Sequence, residues 1–543
     1  MVRGILIPGP FINAMKTNFL IFLVILNISY SYGQKWENIY GNPGTDESFD
    51  DAIEYYDHGY LLASYYELNT GCWLIKTDIN GNTLWEKIIS WPDVSIFGGK
   101  LYQDLEGNII IATVVAGEPS GYWPMMMKLD ACGEKVWCRV FQDDDFNYGW
   151  FNDVMVLDNG DIIGLGYLDS DEEIELVFIY YIDPDGNLLW RQGYASQNNY
   201  PHIRDSNGDE IIKYGDKYLI NGHCYYPYPT DTTHFFLRPL FIMLDSSFNE
   251  EWVLPFGVND SIVGWGYHTI KINDSIYMGV GMRRLGGMLR NSLMMYFNES
   301  GEEINYVQIP NESITTGLIS NAISDIARIN DTLFLASTNF GYINTTNYPW
   351  GEMLIDTSGN IFKYEIRSNN TTDWTTMVHT FDDKYTIGCG WKEGNAKNDI
   401  YLYKINANLE QDTLYPGNYT YDSLCSYPIQ SGEVDISDCI IITDVGEVPT
   451  PDEYFAGLQG IPVKVFPNPA SKGSITFEFQ NTRYHSDIEL RCFNIFGELV
   501  HSEQINACQV ECKVSTIKWK PGIYLALVYA HKKVVGRTKY IVR

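Results

Sequence analysis

The sequence predicts an all-β chain: a β-propeller followed by a small immunoglobulin-like β-sandwich. Three recurring features predict it. A short apolar run returns at near-regular intervals as Gly59-Tyr-Leu-Leu-Ala-Ser64, Gly107-Asn-Ile-Ile-Ile-Ala112, Gly160-Asp-Ile-Ile-Gly-Leu165 and Lys217-Tyr-Leu-Ile-Asn-Gly222, and more weakly at 275–280, 332–337 and 384–389. A second run, ending on Asp or Asn, follows each one, as in Cys72-Trp-Leu-Ile-Lys-Thr-Asp78 and Met125-Met-Met-Lys-Leu-Asp130. An aromatic residue then marks a third strand at Trp85, Trp137, Trp190, Trp252, Tyr306 and Tyr364, the first two intervals being 52 and 53 residues. Units of this period with about four short strand signals each are the signature of propeller blades, none of which can bury its own faces alone. The count is seven, with six or eight as alternatives because the last three units are degenerate.

Each element follows from its residues. The apolar runs are too continuous for strands wet on one side, so they fit strands buried on both faces between neighbouring blades. The runs Met125-Met126-Met127 and Met294-Met295 fall in these strands and are expected as core. Lys35-Trp-Glu-Asn-Ile-Tyr40 is a stray copy of the Trp-bearing outer strand, and it should pair with the last unit and close the ring. Asp78-Ile-Asn-Gly-Asn82, Asp183-Pro-Asp-Gly-Asn187 and Asp356-Thr-Ser-Gly-Asn360 begin like calcium loops, but no Glu sits at a twelfth position on a helix. Their recurrence at one blade position favours hairpin turns, in which Asp bonds the backbone and Gly supplies positive φ.

Composition narrows the function. The chain has 543 residues, 15% of them aromatic, and a formal net charge of −32. Residues 463–543 carry +6 and residues 35–462 carry −40. So acidic a body repels nucleic acid and anionic lipid. No G-x-S-x-G, H-E-x-x-H or phosphate-binding glycine loop occurs, the His residues are scattered, and no cofactor or metal site is expected. Asp78 to Trp85 is similar to the Asp-box of sialidases, but Lys76 stands where that motif has Ser and the Gly spacing differs. Ten cysteines can form disulfides in an oxidising compartment. The local candidates are Cys132–Cys138, Cys425–Cys439 and Cys508–Cys512.

The long loops are expected on one face. In four-stranded antiparallel blades the loops between the second and third strands and the links between blades emerge together. Function concentrates on such loops. The candidate binding residues there are Tyr122, Trp123, Tyr225, Tyr226, Tyr228, Arg283, Arg284 and Trp350, with the rings available for sugars or a protein partner.

The two ends give the address. Lys16, an apolar run from Phe19 to Ile28 and small residues Ser31 and Gly33 make residues 1–33 a signal peptide, with Met15 as an alternative start. No later stretch is apolar enough to span a membrane. Residues 34–415 are assigned to the propeller, 416–461 to an acidic linker holding Cys425 and Cys439, and 462–543 to the terminal sandwich. The body resembles the W-x-K…D-x-N-G-N-x-x-W propeller repeats of secreted Bacteroidetes proteins. The tail, with Pro467-Asn468-Pro469, Gly497, Gly522, Tyr524 and Lys539, resembles the type A C-terminal sorting domain of the type IX secretion system of Bacteroidetes. That resemblance implies recognition by the type IX machinery and a secreted or outer-surface location. The function expected is a non-catalytic module that binds polysaccharide or protein. The alternative is an extracellular glycan-acting hydrolase using channel-facing carboxylates.

Overall fold

A computed structural model describes residues 34–543 apart from 43–44, 67–69, 118–120, 144–145, 147, 170–175, 229–230, 260–261, 288, 343–348, 369–370, 393–397, 444–448, 452–453, 455–462, 471–472, 480–487, 507–510 and 531–532. The expected signal peptide lies outside the described residues, as does Cys508. The body is built from antiparallel meanders. In the first, Phe49–Glu54, Tyr60–Tyr66, Gly71–Thr77 and Thr83–Ser90 pair in that order. Equivalent groups follow, with innermost strands Lys100–Gln103, Tyr148–Val156, Arg204–Tyr214, Gly264–Asn273, Leu318–Arg328 and Thr371–His379. The last group supplies three strands, and its fourth is Glu37–Tyr40, which pairs with Asn398–Ile405. The Glu37–Tyr40 strand therefore closes the ring, as its sequence predicts, and the body is a β-propeller.

The core is a circular series of interfaces. Alternate residues of one strand serve two neighbours: Ile109 and Ile111 pack towards the first group, while Ile110 and Ala112 pack towards the third. Each following cluster joins one group to the next. The final cluster joins Ile400 and Leu402 of the last group, with Trp36 and Tyr40, to Tyr60, Leu62 and Trp73 of the first. Met125, Met126, Met127, Met294 and Met295 are fully buried. Trp36 is buried too, and its indole N–H donates to the Ile79 carbonyl at 2.8 Å. The turns are Asx-type. Asp78 Oδ1 accepts from the amides of Asn80 and Asn82 at 2.8 Å each, and Gly81 has φ +78°. Asp183 and Asp356 do the same, so these carboxylates are occupied by their own turns.

The cysteine pairing differs from the local pairs expected from sequence. Cys132 bonds Cys425 and Cys138 bonds Cys439, across separations of 293 and 301 residues. Cys132 sits in a turn and Cys138 lies three residues into the strand that begins at Lys135, about 10 Å further on at strand rise. That exceeds the Cα separation of about 4.4–6.8 Å that a disulfide spans. The segment expected as an acidic linker instead straps the outer edge. Gly432–Asp435 adds in parallel to Thr83–Ser90, and Ile440–Ile442 adds in parallel to Lys135–Phe141. The strap is also anchored through the buried Lys76–Asp57 pair at 2.7 Å, since Asp57 accepts from the Asp422 amide at 3.1 Å.

The tail forms two sheets around one core. One holds Val463–Phe466, Ser474–Phe479 and Glu511–Ser515; the other holds Ile488–Asn494, Leu499–Ile505, Gly522–Ala530 and Lys533–Val542. Asn468 Oδ1 accepts from the Ile541 amide at 3.0 Å, so the Pro-Asn-Pro segment clasps the last strand. Tyr524 stacks on Trp519 and Tyr540 and donates its hydroxyl to the Lys520 carbonyl at 2.7 Å. Gly497 takes φ +79° in a turn, and Lys539 is exposed.

Candidate functional site

The innermost strands bring one polar residue each to a common depth. Asp51, Lys100, Asp153, Glu210, His268, Asp325 and Thr376 pair across their hairpins with Ala63, Ala112, Leu165, Asn221, Val280, Ser337 and Gly388. Together they line a cavity of about 360 Å³ at the centre of the ring. A register shift precedes Asp51, Asp153, Glu210, His268 and Asp325. A bulge of this kind re-aims the side chain after it, here from the packed sheet surface into the channel.

Of the four carboxylates among these seven residues three are struts; a fifth, Asp209, also lines the cavity and meets His223 Nδ1 at 3.3 Å. Asp51 Oδ2 accepts from the Leu101 amide at 2.9 Å, Asp153 Oδ2 from Ile211 at 2.9 Å and Asp325 Oδ2 from Met377 at 3.0 Å. In each case the second oxygen accepts from the residue's own following amide. Each Asp thus pins the innermost strand of the next group, with both of its oxygens engaged by backbone amides. The fourth carboxylate, Glu210, meets His268 Nδ1 at 2.7 Å, with Asp325 at 3.7 Å on the same nitrogen. Burial and then repulsion from Glu210 push the Asp153 carboxyl up to about 7. Burial alone would lower His268, but Glu210 and Asp325 outweigh it and push it up to about 9. Burial likewise raises Asp50 and Asp51, while Asp51 and Asp50 outweigh the burial of Lys100 and raise it.

Aromatic rings gather above the channel on the long-loop side. Phe97 lies 5.0 Å from Trp150, 5.7 Å from Tyr65 and 5.8 Å from Tyr122; Tyr122 lies 4.7 Å from Tyr148, which lies 5.9 Å from Tyr167. These half-buried rings make one continuous surface over the first three groups. The sequence singles out Tyr122 among them. Trp123 packs against the core beneath. Tyr225 is 39% exposed, Tyr226 packs against a core cluster, and Tyr228 packs against Phe236 with ring centroids 3.8 Å apart and the planes tilted by 37°. Arg283 is half-buried and Arg284 exposed. Trp350, expected on the loop face, is instead 1% exposed, its indole N–H donating to Ser337 Oγ at 2.9 Å. The strand Trp350–Asp356 begins at this residue, so its ring packs inside the sheet rather than on a loop.

No curated protein matches the chain by sequence. Solved structures similar to it include a protein of unknown function from Dyadobacter fermentans, at 8% identity over 68% of this chain and 98% of that one, with a TM-score of 0.41. An ulvan lyase of a new polysaccharide lyase family has 11% identity over 68% and 96%, with a TM-score of 0.44. The β-propeller domain of the trilobed protease from Pyrococcus furiosus has 10% identity over 69% and 100%, with a TM-score of 0.37. Residues 464–543 match the family model described as a secretion system C-terminal sorting domain. That match, on the two-sheet tail, marks the protein for export by type IX secretion to the cell surface or the extracellular space.

Proposed function

We propose that this protein is a non-catalytic, seven-bladed propeller that, once exported, binds polysaccharide through its long-loop face. Residues 1–33 would be its leader, 34–415 its ring, 416–461 its strap and 462–543 an immunoglobulin-like tail read by the type IX machinery. The observation that carries the reading is the continuous row of rings from Tyr65 through Phe97, Tyr122 and Tyr148 to Tyr167, with Trp150 beside it. Neighbouring rings 4.7–5.9 Å apart give successive platforms for the apolar faces of sugars. The channel favours binding over hydrolysis. A glycosidase needs two carboxylates free to face the substrate. Asp51, Asp153 and Asp325 are each committed to two backbone amides, Asp209 meets His223 Nδ1 at 3.3 Å and Glu210 meets His268 Nδ1 at 2.7 Å, so each of the five carboxylates lining the cavity already has a partner.

Calorimetric titration of the whole exported protein with polysaccharide tests this. Replacing Tyr148 and Trp150 together by Ala should weaken binding roughly tenfold or more, since two rings of the row lose their apolar contact with the sugar. Unchanged affinity in a variant with an unchanged unfolding midpoint would reject the face.

A further inference from the structure

The long-loop face carries charge unevenly. Residues 35–462 have a formal charge of −40, yet four arginines, Arg204, Arg283, Arg284 and Arg290, gather at the loop end of the fourth and fifth groups. Arg204 sits opposite Tyr225, Arg283 opposite Gly264 and Arg284 opposite Arg290. The two groups meet where His223 and Trp265 lie 6.2 Å apart, and Arg284 lies 5.2 Å over the same Trp265. Arg204 stacks on Phe235 at 4.0 Å; Arg283 lies 5.8 Å over Tyr306 and donates to Gln308 Oε1 at 3.0 Å. The stretch from Arg283 to Arg290 contains three arginines and no Asp or Glu.

Among the described residues none of these four arginines is within ion-pairing distance of a carboxylate. Cations elsewhere on the ring commonly are: Lys76 with Asp57, Lys128 with Asp104, Arg191 with Asp143, Lys217 with Glu251 and Arg367 with Glu352. Among the described residues Arg139, Arg238 and Arg328 also lack a carboxylate partner, but each stands singly and donates to backbone carbonyls. Here aromatic rings lie against the guanidinium groups of Arg204, Arg283 and Arg284, and Arg204 and Arg284 stay exposed.

We propose that this patch is an anion subsite of the glycan-binding face and takes the sulfate or carboxylate groups of an acidic polysaccharide. The planar guanidinium fork matches both groups, and the exposed Tyr225 beside Arg204 offers a ring to the sugar between them. This rests on the glycan-binding reading and names its ligand class. The body's acidity disfavours nucleic acid and anionic lipid, which present dense charge over a wide area, whereas a polysaccharide can place sparse anions on one patch.

The test titrates the whole exported protein with matched pairs: a sulfated or uronate polysaccharide and its desulfated or carboxyl-reduced counterpart, at low and at physiological salt. The expected result is at least tenfold tighter binding of the anionic member, weakening with salt, with the preference lost in Arg283→Gln/Arg284→Gln. Arg204→Gln, at an exposed position, repeats the measurement should the double variant unfold. Equal affinity within each pair, or a preference surviving both variants, overturns the anion subsite while leaving the glycan-binding face standing. Failure to bind any member of any pair overturns both.

Discussion

Two residues of the channel set a pH dependence that can be worked out in sign. Asp153 holds its proton up to about 7 in the folded protein, above its unfolded value of about 3.9. The folded state therefore binds more protons between those values, and stability falls as pH rises through that window. His268, raised to about 9 from about 6.5, contributes stability that is complete below the unfolded value and lost as pH climbs to the folded one. Both act in one direction, so the urea midpoint should decline from pH 4 to pH 9. Asp153→Asn should flatten the acidic half of that decline and His268→Gln the alkaline half. Denaturation curves of variant and parent that stay parallel across pH would show that neither group titrates in the channel as described.

At the scale of the element, the strap changes what holds the ring together. The first and second groups share a cluster that includes Val434 and Ile436 from the strap, so its parallel strands complete an interface as well as covering edges. Two disulfides fix it there. Replacing Cys425 and Cys439 by Ser removes both disulfides and should cost about 2–5 kcal/mol for each, read as a lower denaturant midpoint. A midpoint unchanged in the double variant would mean that strand addition alone seats the strap. The turns show the same economy. Asp78, Asp183 and Asp356 resemble cation ligands in sequence but spend their oxygens on adjacent amides.

Over the whole molecule, the features legible in sequence were those repeated in kind. Continuous apolar runs announced strands buried on both faces, Asp-x-x-Gly-Asn announced the turns, and the stray Trp36 strand announced the closure. The channel residues were not legible because they repeat in position but not in chemistry. Asp51, Lys100, Asp153, His268, Asp325 and Thr376 each lie twelve residues before their cross-strand partners, and Glu210 lies eleven before Asn221. Aligning the repeats on that offset would have found them. The disulfides were hidden for a different reason, since spacing along the chain says nothing about a strap that returns some three hundred residues later to an outer edge. Trp350 misled because a Trp after a long loop looks exposed until the strand it opens is seen to pack inward.

The central claim is an exported propeller that holds polysaccharide without cleaving it. It is tested most directly by exposing the whole protein to a polysaccharide array while monitoring released oligosaccharide. The account predicts retention of at least one polysaccharide with no product over prolonged incubation. Product release abolished by Glu210→Gln would contradict it, and would make the channel beside His268 an active site.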